Sequence, residues 1–246
     1  MNLKDASCVI TGGAKGLGAD LARELVSRGA QVLISDVDDA GLAEIGTELD
    51  MPTLHCNVTD RDQVEALGRV AMEEFGKIDL WLNNAGIWMP YMPVENIDFN
   101  KAHQLVEVNY FGTAYGMLEA VKHMRERNDG IICNIISVRA LKGKALGAAY
   151  SASKFAAEGF TQAVRDELSA KGGSASGGKD SGIKIVGVYP YRIKTELFGE
   201  HKHDDYESSM DPADVAKIIV DNLAEPTPAE HLEIWNADDI RKKEIA

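Results

Sequence analysis

The stretch from Ala6 to Asp36, ASCVITGGAKGLGADLARELVSRGAQVLISD, constrains the fold more than any other part of the chain. Val9 and Ile10 lie in a short apolar run that ends at Thr11, and Gly12, Gly16 and Gly18 follow. Leu17, Leu21 and Leu25 then recur every four residues, the core stripe of a helix. Gly29 stands where that helix needs a left-handed cap. Val32, Leu33 and Ile34 supply a second strand. Strand, glycine turn, helix and strand in this order form a βαβ unit. Glycines at its first turn let the backbone approach a pyrophosphate, and the helix N-terminus offers free N–H groups to the anion. Gly12, Lys15, Gly16, Leu17 and Gly18 are therefore candidates for holding a dinucleotide.

Strand-like runs lie near residues 7–11, 31–35, 53–56, 78–83, 130–136, 183–189 and 231–235, with helical patterns between most of them. Such alternation predicts an α/β fold: a single Rossmann-type doubly wound domain over 1–246, with a seven-stranded, mainly parallel sheet flanked by helices. A length of 246 residues and 45% hydrophobic content suit one domain of this size. Lys171 to Gly182, KGGSASGGKDSG, reads as a flexible exposed loop. Asp211-Pro212-Ala213-Asp214 reads as a helix start, with Asp211 as N-cap and Val215, Ile218, Ile219 and Leu223 on the buried face.

The chemistry concentrates on three residues. Tyr150 and Lys154 lie four apart in a helical run, which stacks phenol and ammonium on one face. A nearby cation favours the phenolate and lowers a tyrosine pKa from its usual value of about 10. Such a tyrosine exchanges a proton with a substrate oxygen near neutral pH. Ser137 ends the apolar run GIICNIIS, placing its hydroxyl at the carboxyl end of a buried strand.

Thr11 to Gly18 spell T-G-x-x-x-G-x-G, Asn83 to Gly86 spell N-N-A-G, and Asn109, Ser137, Tyr150 and Lys154 follow in order. In these motifs the chain resembles the short-chain dehydrogenase/reductase family, most closely up to about residue 195. The resemblance implies a nicotinamide cofactor and a catalytic set of Asn109, Ser137, Tyr150 and Lys154. In it Ser137 orients the substrate oxygen, and Tyr150 is the general acid/base. Lys154 lowers the Tyr150 pKa and, beside Tyr150, holds the nicotinamide ribose. Asn109 holds a water that links Lys154 to solvent. It further implies that Asn84, Ala85 and Gly86 border the cofactor, that Asn57 and Val58 meet the adenine, and that Pro190, Ile193 and Thr195 lie at the nicotinamide carboxamide. Asn57 stands where the family usually has Asp. Tyr191 replaces the glycine that usually follows Pro190, and three placements are open for it: crowding the nicotinamide, lining the substrate pocket, or turning outward.

Asp36, at the end of the second strand, can accept hydrogen bonds from ribose hydroxyls and would repel a 2′-phosphate. It favours NAD; Lys15, which resembles a basic residue of some NADP-preferring members, favours NADP. The reading is an NAD(P)-dependent oxidoreductase acting on a secondary alcohol or ketone, with NAD preferred over NADP. The alternatives are an NADPH-dependent carbonyl reductase and a non-catalytic dinucleotide-binding regulator. Trp88, Met89, Tyr91, Met92, Leu141 and Leu146 offer an apolar substrate pocket, and Arg139 offers a paired hydrogen-bond site for a carboxylate.

Residues 196–210 occupy the family's substrate-lid region. His201 and His203 lie two apart, a spacing that shares no helical face, so no metal site is predicted. A formal net charge of −13 argues against nucleic acid and anionic membrane surfaces. Cys8, Cys56 and Cys133 read as buried reduced thiols. No apolar segment has the length of a signal core or membrane helix, and the chain reads as cytoplasmic. The resemblance implies a homodimer or homotetramer.

Overall fold

The computed structural model describes residues 1–169, 181–201, 206–236 and 238–243. Its strands are β1 (Ser7–Thr11), β2 (Gln31–Asp36), β3 (Thr53–His55), β4 (Leu80–Asn83), β5 (Gly130–Ile135), β6 (Ile183–Pro190), β7 (His231–Ile234) and β8 (Ile240–Lys243). The helices are α1 (Gly16–Ser27), α2 (Asp39–Leu49), α3 (Arg61–Phe75), α4 (Phe99–Val106), α5 (Thr113–Met124), α6 (Ala148–Leu168) and α7 (Pro212–Ala224).

All eight strands form one sheet in the order β3-β2-β1-β4-β5-β6-β7-β8. The first seven pair in parallel, as the alternation of strands and helices predicts. β8 is an addition to the predicted seven and runs antiparallel to β7. Its four residues, IRKK, are all exposed, so no apolar pattern marks it in the sequence.

The sheet buries both faces, as parallel sheets do. On one face Leu21 and Leu25 of α1 meet Val215, Ile219 and Leu223 of α7 over Ile10, Leu82 and Val188. On the other, Val64 and Leu67 of α3, Met117 and Ala120 of α5 and Leu168 of α6 cover Val9, Trp81 and Ile132. The three cysteines are free and buried. Burial pushes the Cys56 thiol up to about 11 and Cys133 to about 12, so neither is a ready nucleophile.

Helix starts follow local chemistry. Asp38, Asp60, Asp98 and Asp211 each accept first-turn N–H groups of α2, α3, α4 and α7. Pro212 occupies the first turn of α7, as predicted. Lys15, the N-cap of α1, makes no such bond, so that helix end keeps its donors toward the crevice. Strand order reverses between β1 and β4, and a crevice opens beyond the carboxyl ends of these neighbouring strands. No helix among the described residues is long and apolar enough to cross a membrane. Residues 171–180 of the Gly/Ser-rich loop and 202–205 of the lid region, including His203, lie outside the described residues.

Candidate active site

Two turns form the floor of the crevice. Gly12 has φ 65°, and a Cβ there would sit 2.6 Å from Ala85 Cα. A Cβ on Gly18 would lie 2.1 Å from the Gly12 carbonyl oxygen and 2.5 Å from Asn84 Nδ2. Asn84 Nδ2 donates to the carbonyls of Thr11 at 3.1 Å and Gly12 at 2.7 Å. The Thr11 hydroxyl accepts from the Asn84 and Ala85 amides, both at 3.2 Å. The glycine turn and the N-N-A-G turn are thus one hydrogen-bonded unit. Asn83, by contrast, is buried and donates to Asn134 Oδ1 at 2.9 Å, away from the crevice.

Asp36 fixes the wall beside this unit. Its carboxylate accepts from the Ala14 amide at 3.1 Å, Val37 at 2.7 Å and Asp38 at 3.1 Å. Lys15 pairs with Asp38 at 2.7 Å and reaches Glu196 at 3.8 Å. The bond to Asp38 raises the Lys15 pKa, and the same bond lowers that of Asp38. Asn57 Oδ1 accepts from Thr59, while Val58 is buried against Gly112.

Ser137 follows β5, and Tyr150 and Lys154 project from α6; all three are buried. Ser137 Oγ accepts from the Arg139 amide at 3.1 Å. Burial pushes the Tyr150 phenol up to about 12, opposed by the nearby Ser137 hydroxyl, reinforced by Tyr91 and opposed again by the Arg139 charge. Burial likewise lowers Lys154 to about 8. Lys154 Nζ donates to the Ile135 carbonyl at 3.3 Å and lies 6.0 Å from the centre of the Tyr150 ring. The predicted lowering of Tyr150 by Lys154 is therefore not what the protein alone produces. Desolvation disfavours both charged forms and is the largest influence on each.

Asn109 sits in a π-helical stretch, Glu107–Gly112, between α4 and α5. Its Oδ1 accepts from the Ile87 amide at 2.9 Å, and its Nδ2 donates to Ile87 O and Ser153 Oγ, both at 3.0 Å. The side chain thus ties the chain after β4 to α6 at Ser153, the residue before Lys154, and among the described residues it makes no hydrogen bond to Lys154 itself.

A cavity of about 410 Å³ joins these parts. Gly12, Lys15, Gly16, Leu17, Gly18, Asp36, Asn57, Val58, Asn84, Ala85, Gly86, Ser137, Tyr150, Lys154, Pro190, Ile193 and Thr195 all line it. Asn109 is the one predicted site residue that does not, lying behind Gly86 instead. Residues missed from the sequence also line it, among them Ile135, Ile136, Glu196 and Phe198. Phe198 is marked in the sequence as one of two aromatic residues, with Tyr206, in a polar lid segment, whereas Ile135 and Ile136 look like any strand residues.

Tyr191 lines the cavity without a left-handed backbone, so its replacement of glycine carries no conformational strain. It packs against Trp235, with ring centres 5.7 Å apart. A second recess of about 290 Å³ adjoins Ser137 and is bordered by Trp88, Tyr91, Arg139 and Tyr191. Trp88 meets Tyr91 and Phe198 edge to face at 5.6 and 5.1 Å. Of the other predicted pocket residues, Met89 and Met92 pack with Tyr150 and Leu141 with Tyr189. Leu146 is exposed at φ 66° and lines neither cavity, because its backbone turns the side chain outward.

The short chain dehydrogenase family model matches residues 6–206. The chain belongs to this family of oxidoreductases. It is 32% identical over 201 residues to 3beta-hydroxysteroid dehydrogenase 2 of Eggerthella lenta, covering 79% of this chain and 74% of that protein. It is 29% identical over 233 residues to a 3-alpha-(or 20-beta)-hydroxysteroid dehydrogenase of Mycobacterium tuberculosis, covering 94% of this chain and 82% of that one. A short-chain dehydrogenase/reductase structure from Burkholderia phymatum, solved with NAD, superposes with a TM-score of 0.83 at 22% identity, over 95% of this chain and 90% of that one.

Proposed function

We propose that the crevice binds a nicotinamide dinucleotide, NAD in preference to NADP, and that Tyr150 is the general acid/base in interconverting a secondary alcohol and a ketone. The observation that carries this reading is the meeting of Ser137, Tyr150 and Lys154 with the glycine turn and Asp36 in one cavity. The residues fit the cofactor. The uncapped start of α1 suits a pyrophosphate, and Asp36 suits ribose hydroxyls. Bound there, the nicotinamide supplies the hydride chemistry. A 2′-phosphate would meet Asp36, Asp38 and Glu196, and Lys15 is already engaged by the last two. The names of the two relatives support a secondary alcohol as the reacting group.

Ser137 orients the substrate oxygen. Tyr150, held up at about 12, is a neutral phenol at pH 7 and is ready to donate a proton to a carbonyl. In the oxidative direction the phenol first gives up its own proton to solvent and, as phenolate, takes the hydroxyl proton; added positive charge in the crevice favours that ionised form. The Lys154 ammonium, one turn along α6, and the Arg139 guanidinium can supply that charge, and Asn109 holds the segment against which α6 is placed.

Fluorescence titration with NADH and NADPH, then turnover of secondary alcohols and ketones, tests the reading. NADH should bind more tightly than NADPH. Tyr150→Phe should cut turnover by about 10³-fold while NADH still binds. Tighter NADPH binding would overturn the cofactor preference, and near-normal turnover in Tyr150→Phe would overturn the acid/base assignment.

A further inference from the structure

Arg139 lies two residues beyond Ser137, half-buried at the recess that adjoins the proposed reacting centre. Arg23, Arg28, Arg61 and Arg165 each hold a carboxylate. Among the described residues Arg139 holds none, although the chain has 39 acidic residues against 26 lysines and arginines. The described lining of the recess contains no Asp or Glu to neutralise Arg139. A guanidinium that faces a recess without a carboxylate beside it marks a place where a negative group is taken up.

Tyr191 accounts for the position of the guanidinium. Arg139 Cζ lies 5.3 Å from the centre of its ring, over the face, and Trp235 backs that ring. A glycine at 191 would leave Arg139 without this platform. Trp88 and Tyr91 supply apolar surface on the same recess. Its volume of about 290 Å³ suits a small organic body. The planar fork of an arginine matches a carboxylate in paired hydrogen bonds.

We propose that the substrate is a small hydroxy or keto acid with an aromatic or branched apolar body, that Arg139 binds its carboxylate, and that Tyr191 positions Arg139. This rests on the reading of the crevice as an alcohol/ketone site. No covalent step is added: Arg139 acts only on binding and orientation.

The test compares an acid with its uncharged ester. Binding of 3-phenylpropanoate and of its methyl ester is followed by isothermal titration calorimetry in the wild-type chain and in Arg139→Met, Arg139→Lys, Tyr191→Phe and Tyr191→Gly. The acid should bind the wild-type chain at least about tenfold more tightly than the ester, the scale of one charge-assisted pair. Arg139→Met should bring the acid-to-ester ratio close to one, and Arg139→Lys should restore part of it. Tyr191→Phe should keep the ratio and Tyr191→Gly should lower it through weaker binding of the acid while binding of the uncharged ester stays unchanged, a split that a merely structural role for the ring would not give. Turnover of 3-hydroxy-3-phenylpropanoate against its methyl ester should show the same order in kcat/KM. Equal or weaker binding of the acid by the wild-type chain, or an undiminished ratio in Arg139→Met, overturns the inference. If NADH binds and neutral secondary alcohols turn over in that case, the oxidoreductase reading stands and only the acid preference falls. Loss of NADH binding with the acid preference intact has the opposite meaning.

Discussion

At the scale of single residues, Lys154 shows how burial sets the chemistry. It is 6% exposed, and desolvation is what depresses its pKa from 10.5 to about 8. Below pH 8 both folded and unfolded chains hold this proton, and the full cost of burying the charge is present. Between about 8 and 10.5 the unfolded chain binds more protons, so stability rises with pH across that window. Lys154→Met should therefore stabilise the fold at pH 7 by ~1–3 kcal/mol and flatten the rise, as read by urea denaturation at pH 7 and 10. A loss of stability at pH 7 would contradict this account. Much at this scale was legible: Gly12, Gly18, Asp36, Ser137 and Tyr150 have positions that follow from strand ends and glycine spacing. The partner of Lys15 was not, because Asp38 reaches it across a turn that also caps α2. The placement of Tyr191 was not either, since it depends on Trp235 from the chain after β7.

At the scale of elements, the parallel sheet was readable because apolar runs between helices admit few arrangements. The π-helical stretch around Asn109 and the strand β8 were not. The first differs from an α-helix only in hydrogen-bond register, and the second is polar throughout. β8 is held in part by a side-chain anchor. Glu233 of β7 is 2% exposed, and burial acts against its charge. Lys243, Trp235 and His231 outweigh that effect and hold its carboxyl at about 2, below the usual 4.5. A depressed acid stabilises the fold above its unfolded pKa and loses that contribution as pH falls toward its folded one. The Lys243 side chain is 58% exposed, so solvent screens its share. Lys243→Ala should cost about 1 kcal/mol at pH 7, and the difference from wild type should shrink below pH 4.5. Urea midpoints at pH 7 and pH 3 decide it: an equal difference at both would remove Glu233 from the explanation.

At the scale of the whole molecule, one surface departs from the acidic character of the rest. Leu118 on α5 is 53% exposed and Phe155 on α6 is 45% exposed. Between these helices and the π-helical stretch, Tyr110 meets Phe111 and Phe160, with ring centres 4.7 and 6.0 Å apart, and Phe111 meets Tyr115 at 6.0 Å. Large apolar side chains gathered on one face mark an association surface. With a net charge of −13, two copies would repel at long range, so the homo-oligomer expected from the sequence would have to form on an apolar face such as this one rather than through charge pairing. A second copy applied through a two-fold axis presents the same rings to each other, which is the self-complementary arrangement of closed dimers. Light scattering on the eluting protein should give two or four times the chain mass of 26.7 kDa. Phe155→Glu places a charge at the centre of that contact, where an unpaired ion is costly to desolvate, and should lower the mass at the same concentration. Phe155 adjoins Lys154 in sequence but is exposed where Lys154 is buried, so its side chain leaves α6 away from the crevice, and NADH binding should survive in the dissociated variant. A wild-type chain that elutes at 26.7 kDa would leave these rings without a partner and would refute the assembly.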